Sequence, residues 1–417
     1  VFVAYALTAS FITYFCIYGL RKPFDALAFP GEKYLGTRID LKTACVLGQI
    51  IGYMLSKYAG AWACAETPRR WRAALLLGVA GWAELMLLAI TVLPPALWPL
   101  ALFGNGLPLG IVWGLVVRYL EGRRISDMLL VGVSTAFLMA GAATKDVALW
   151  ILAHDVPREW MPAVAGFVFL VPYAIGVALL DHLPAPTLAD ETARSVRANV
   201  GRPLRRVFLR HFGLGLIPLF GAYFLLTAYR DFRDLYGREL LLELGYPGHP
   251  GLFMSVDIWA VGGALVALAC LNLVHDHRRA LAVVCGFVLA GFAVIGLSTL
   301  GFRAGRIDGL EWVAAVGVGL YLAYVPFGVV LFERLVAAAR FPGTSVFAVQ
   351  LADGVGYSGS VLIQLFRDVA FSGTNRLEFF VPLSYAVSVA GIVFTLATAG
   401  LIGPQVFAKK ELNCSSQ

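Results

Sequence analysis

Apolar runs recur from one end of this chain to the other, separated by short charged or Pro/Gly-rich links. A helix of about 20 mainly apolar residues crosses the hydrocarbon of a bilayer, and it satisfies its own backbone hydrogen bonds while doing so. Broken at the charged clusters and turns, the sequence yields twelve candidate spans. They lie at roughly 4–29, 42–64, 72–93, 96–118, 128–153, 160–183, 208–230, 250–274, 280–300, 311–336, 344–369 and 379–402. Runs of this length are too long for barrel strands. The expected fold class is an all-α polytopic membrane protein with twelve transmembrane helices. Composition agrees: 14% of residues are charged, where soluble domains carry roughly a quarter.

Basic residues orient the spans. Links after even-numbered spans hold Arg69, Arg70 and Arg72, then Arg118, Arg123 and Arg124, and later Arg278, Arg279, Arg334 and Arg340. Lys409 and Lys410 follow in the tail, whereas the link around Pro94 and Pro95 has no charge. By the positive-inside rule both termini face the cytoplasm. The net charge of +7 then reflects topology, and no nucleic-acid partner is expected. The six cysteines show no metal or redox spacing and read as small apolar fillers. No cofactor or metal site is expected. There is no nucleophile elbow, phosphate loop or zinc-protease motif, so an enzyme is not expected either.

One extended polar stretch, at about 184–207, divides six spans from six. The expected organisation is a first six-helix half over 1–183, a cytoplasmic linker over 184–207, a second half over 208–403 and a tail over 404–417. The arginine-rich linker reads as a solvated loop near lipid headgroups. The halves share a pattern. Tyr14 precedes Arg21 by the same interval that separates Tyr223 from Arg230, and Gly104-Asn105-Gly106 in span four aligns with Gly317-Val318-Gly319 in span ten. Parallel repeats with a site near the midplane are a transporter arrangement.

Arginine keeps its charge in apolar surroundings, so one inside a span points to a binding site or to a structural ion pair. Arg21 is the leading candidate anion ligand. Its structural reading is a pair with a carboxylate such as Glu84 or Asp257. Arg230 is the second candidate, with an interfacial salt bridge to its acidic neighbours as the structural reading. Lys57 in span two and Lys145 in span five are further candidate cations, although Lys57 could also snorkel to the interface. Glu84, Asp257 and Asp353 are proton-coupling candidates, and each could instead serve as a counter-ion.

Tyr14-x-x-x-Tyr18-x-x-Arg21-Lys22-x-Phe24, taken with Tyr53-x-x-Ser56-Lys57-Tyr58, resembles the organophosphate:phosphate antiporter branch of the major facilitator superfamily. That branch includes bacterial glycerol-3-phosphate and hexose-phosphate transporters. The whole chain is similar to an uncharacterised group of bacterial membrane proteins in the same superfamily. The resemblance implies two pseudo-symmetric six-helix halves that work by alternating access. It also implies that Arg21 and Arg230 clasp a phosphate from both halves, with Lys57 assisting and Tyr14 and Tyr18 nearby. The antiporters carry a histidine in span five that is missing here, and the cluster Asp231, Arg233 and Asp234 is foreign to them.

The expected function is secondary transport of an organic or phosphorylated anion, with exchange for inorganic phosphate as one mode. The alternatives are proton-coupled transport of another small anion or lipid-like solute, and a membrane sensor on the same fold. The expected partners are a small anionic substrate and the lipid bilayer, with the protein a monomer in a bacterial inner membrane.

Overall fold

A computed structural model of the chain describes residues 2–120, 126–184, 202–274, 276–338 and 346–407. The linker stretch 185–201 and the tail 408–417 lie outside the described residues, as do Arg123, Arg124 and Arg340. So do the side chains at 58–66, 126–132, 134, 135, 137, 202–209, 211, 272, 328, 329, 346, 347, 350 and 405–407.

The helices are α1 (Phe2–Cys16), α2 (Leu41–Glu66), α3 (Arg69–Val92), α4 (Trp98–Leu109), α5 (Val112–Leu120), α6 (Ser126–Leu152) and α7 (Met161–Asp181). They continue with α8 (Arg202–Leu235), α9 (Gly237–Glu243), α10 (Leu252–Asn272), α11 (His277–Arg303), α12 (Gly309–Pro326), α13 (Phe332–Ala338), α14 (Val346–Ala370) and α15 (Arg376–Phe407). Among the described residues, 9 spans are long and apolar enough to cross a membrane. The helices α2, α6 and α14 are equally long, at 26, 27 and 25 residues. The protein is an all-α polytopic membrane protein. Large apolar side chains such as Ile217, Val171 and Leu297 stand exposed along the spans, as a lipid-facing surface requires.

Close contacts divide the chain into two compact units. The first comprises Val1–Ser195, Asp234–Ser255 and Gln364–Gly373; the second comprises Val196–Arg233, Val256–Ile363 and Thr374–Gln417. In the first unit, α2 packs on α4 through glycines. A Cβ at Gly52 would come 2.3 Å from the Phe103 carbonyl oxygen, and one at Gly106 would come 2.2 Å from that of Gln49. Small residues let helix backbones approach in this way. In the second unit, α11 and α12 meet through Gly291 and Gly319 by the same device. The two aligned glycine motifs therefore both serve helix seams.

The first span differs from the expected continuous helix over 4–29. Its α-helix stops at Cys16, a 3-10 turn runs over Ile17–Leu20, and a second one runs over Pro23–Ala26. Pro23 has no N–H to continue the α-helical ladder. Gly19 presses on Phe169, where an added Cβ would lie 2.1 Å from the ring. The second span carrying an arginine behaves in the opposite way: α8 continues past Arg230 to Leu235.

Candidate functional site

The break in the first span places Arg21. The backbone N–H groups of Arg21 and Lys22 both donate to the Tyr18 carbonyl, at 3.0 and 2.8 Å. A broken helix leaves carbonyls in need of donors. Two side-chain amides provide them. Asn105 of α4 donates to the Leu20 and Ala83 carbonyls, both at 3.0 Å, and Gln49 of α2 donates to the Arg21 carbonyl at 3.2 Å. Gln49 also donates to the Asn105 side-chain oxygen at 2.9 Å. This buried amide pair clamps the turn at the carbonyls on either side of the Arg21 Cα.

The Arg21 guanidinium lies over the Tyr53 ring, 4.0 Å from its centre, and the Lys57 ammonium stands 5.4 Å from the same centre. Cations over an aromatic face are attracted by its quadrupole. Tyr14 meets Tyr18 and Trp113 edge-on, with ring centres 5.8 and 4.8 Å apart. Tyr14, Tyr18, Arg21 and Tyr53 line one cleft with Ile17, Leu109 and Val112. The cleft is narrow, with about 250 Å³ of open space. Four of the residues expected from sequence (Tyr14, Tyr18, Arg21 and Lys57) are thus gathered around Tyr53.

Lys145 stands elsewhere in the first unit. Its ammonium donates to the Asp234 carboxylate at 2.7 Å and to the Asp234 carbonyl at 3.2 Å. Lys22 binds the other oxygen of the same carboxylate, and it donates to Asp25 at 3.0 Å. Next to this group, Lys42 reaches the Asp25 and Leu27 carbonyls at 2.9 and 2.8 Å and the Glu239 carboxylate at 2.7 Å. Arg367 bridges Asp40 at 2.7 Å and Asp368 at 2.9 Å. Asp146 points away from Lys145 and accepts from the Phe253 and Met254 N–H groups at 2.9 and 2.8 Å, at the start of α10. A carboxylate there complements the positive end of the helix dipole. Sequence reasoning missed this network. The available signal was Asp25 and Asp234, each four residues after a repeat arginine.

In the second unit, Arg230 donates to Asp231 through Nε at 2.9 Å and Nη2 at 2.7 Å, and through Nη1 to the Tyr324 hydroxyl. Tyr223 donates to Asp353 at 2.9 Å and stacks on Tyr324. Arg233 pairs with Asp257 at 2.7 Å and donates to the Val313 carbonyl at 3.1 Å. Two of the three candidate carboxylates, Asp257 and Asp353, therefore accept hydrogen bonds from neighbours. Glu84 differs. It is 3% exposed, and neither carboxyl oxygen has a hydrogen-bond partner among the described residues.

A family model described as a family of unknown function, DUF5690, matches residues 23–402. The chain belongs to that family. No curated protein matches this DUF5690 chain. Its fold is shared by solved transporters of low sequence identity. A D-xylose-proton symporter is 14% identical with a TM-score of 0.65, over 98% of this chain and 99% of that one. A bacterial homologue of the human drug peptide transporters is also 14% identical, with a TM-score of 0.63, over 97% and 99%. The nucleoside transporter NupG is 13% identical with a TM-score of 0.61, over 96% and 100%. Likeness at this level is one of fold. The DUF5690 chain has the major facilitator fold.

Proposed function

We propose that this protein is a secondary transporter of an organic or phosphorylated anion, recognised at Arg21. The observation that carries the reading is the Arg21 guanidinium, held at a helix break over Tyr53, with Lys57 over the same ring and Tyr14 and Tyr18 in the same cleft. A guanidinium presents a planar fork of donors that suits phosphate or carboxylate oxygens. The tyrosine hydroxyls supply further polar contacts, and Lys57 supplies a second positive charge. The solved neighbours include sugar, peptide and nucleoside transporters by their descriptions, so the anion reading rests on this chain's own residues. Arg230 is the second proposed contact, where an incoming anion competes with Asp231.

The narrow cleft requires side chains to move before a phosphate ester enters. The distribution of link arginines supports a bacterial inner-membrane placement with both termini cytoplasmic. Exchange for inorganic phosphate is the proposed mode, on the resemblance of the Tyr14–Phe24 stretch.

The test is uptake of phosphate and sugar phosphates into proteoliposomes, with and without internal phosphate, for the wild type beside Arg21→Lys. Lysine keeps the charge and loses the fork. An uptake rate lower by about 10-fold or more is expected, equivalent to about 1.4 kcal/mol of lost binding. Equal uptake by both proteins rejects the role of Arg21, and no uptake of any phosphate compound by folded protein rejects phosphate and its esters as the substrate.

A further inference from the structure

Glu84 sits within α3, on a helix that packs against α4, α5, α7 and the 3-10 turn over Ile17–Leu20. Its carboxyl fills the space left by the missing side chain at Gly166 of α7, where an added Cβ would stand 1.8 Å from Oε2. The same built Cβ would lie 3.1 Å from Leu20 Cδ2, so the carboxyl shares this pocket with an apolar neighbour. The charged and titratable groups on the surrounding elements make the following contacts. Arg72, on α3 with Arg69 and Arg70, donates to the Arg118 carbonyl at 2.9 Å, and Arg69 donates to the Leu183 carbonyl. On α5, which also carries Arg118, Tyr119 donates to Asp181 of α7 at 3.0 Å. Tyr173 of α7 donates to the Leu76 carbonyl at 3.0 Å. Tyr18 meets Tyr14, and Arg21 lies over Tyr53. The helix α4 carries no ionisable side chain.

An ionised carboxylate buried without hydrogen bonds or a counter-ion costs several kcal/mol, so such a group holds its proton. The carboxyl is also mechanically close to Arg21. Asn105 holds the carbonyl of Ala83, the residue before Glu84, and the carbonyl of Leu20, the residue before Arg21. Moving the turn that carries Arg21 therefore disturbs the packing around Glu84.

We infer that Glu84 is a proton-binding site, loaded in the arrangement described, whose proton is released when the turn carrying Arg21 moves. The coupling rests on the transporter reading; the protonation does not. In the release step the Glu84 O–H bond breaks, its electron pair stays on the carboxylate, and the proton passes to water admitted beside Gly166. Restoring the seam requires reprotonation.

Two measurements test this. Infrared spectra of the purified protein in lipid should contain a protonated-carboxyl C=O band at neutral pH that shifts in D2O. The band should vanish in Glu84→Gln, which keeps the shape of the neutral acid, and persist at a shifted frequency in Glu84→Asp. An identical band in wild type and Glu84→Gln overturns the proton site, whatever the protein transports. The second measurement is uptake of radiolabelled phosphate in proteoliposomes. A pH gradient should accelerate wild-type uptake, while Glu84→Gln should lose at least 10-fold of that acceleration and retain exchange against internal phosphate. Equal acceleration in both overturns the coupling. Absence of phosphate uptake in wild type rejects the proposed substrate and leaves the infrared result to decide the proton site.

Discussion

The two arginine repeats use one spacing for opposite ends. Tyr14, Tyr18, Arg21 and Asp25 stand at the same intervals as Tyr223, Thr227, Arg230 and Asp234. The residue after each arginine has the opposite sign. Asp231 takes two donors from Arg230, which also donates to Tyr324. Lys22 follows Arg21 and reaches Asp25 and Asp234. The backbone differs as well, since the first repeat breaks into 3-10 turns while α8 runs straight through the second. A repeated arginine in a span therefore does not by itself define its job. Both guanidiniums lie over a tyrosine ring, Arg21 over Tyr53 at 4.0 Å and Arg230 over Tyr324 at 4.4 Å, and Arg230 adds an ion pair with the aspartate that follows it.

The strongest way to break this comparison is to remove the carboxylate on which Lys22 and Lys145 converge. Asp234→Asn leaves two buried ammonium groups facing a neutral amide. Breaking a buried pair typically costs about 3–5 kcal/mol, so thermal unfolding of the purified protein should shift down by the largest amount among these variants. An unchanged midpoint would mean that these ion pairs do not hold the first unit together.

Ligand binding sharpens the comparison next. Phosphate affinity should fall about 10-fold or more in Arg21→Lys and less in Arg230→Lys, because the Arg230 guanidinium is already engaged by Asp231. Calorimetry on the two variants side by side checks the order, and a larger loss in Arg230→Lys reverses the assignment.

Asn105→Leu tests the amide clamp on the first repeat. It strips donors from the buried Leu20 and Ala83 carbonyls, at a cost of about 1–3 kcal/mol of stability. Phosphate affinity should fall with it, since Arg21 stands on the clamped turn. Denaturation and binding measured together separate the two effects.

The smallest effect belongs to an exposed pair outside both repeats. The Arg158 guanidinium holds the Glu159 carboxyl below its usual range mainly by a direct hydrogen bond, at 2.9 Å. A lowered folded value means that the pair contributes above the ordinary carboxylate range and loses its contribution as pH falls through the folded value. Exposed pairs are worth less than about 1 kcal/mol. Arg158→Ala should therefore lower the unfolding midpoint only slightly, and only above that range.

Much of the fold and part of the site were legible before any coordinates. Apolar length is a local property, so the candidate spans could be read one at a time, from about 4 to about 402. Arg21 and Lys57 could also be named from sequence as charges within apolar spans, while the grouping of Tyr14 and Tyr18 with them came from the resemblance of the first two spans to the antiporter branch. Tyr53, which joins Arg21 to Lys57, stood in the same motif without being singled out. The end of α1 at Cys16 was harder to see, because the break depends on Gly19 meeting Phe169 as much as on Pro23.

Charge partners were beyond the sequence. Lys145 and Asp234, or Arg367 and Asp40, are far apart along the chain. Only helix packing brings them within hydrogen-bond range, where Coulomb attraction in a poorly screened interior becomes large. The same reason separates the three candidate carboxylates. Asp257, Asp353 and Glu84 look alike as acids within apolar runs. Tertiary structure gave Asp257 an arginine and Asp353 a tyrosine hydroxyl, and it set Glu84 against the bare backbone of Gly166. Hydropathy determined that these helices cross a membrane. The chemistry of each buried charge was decided by which neighbours the packed helices brought to it.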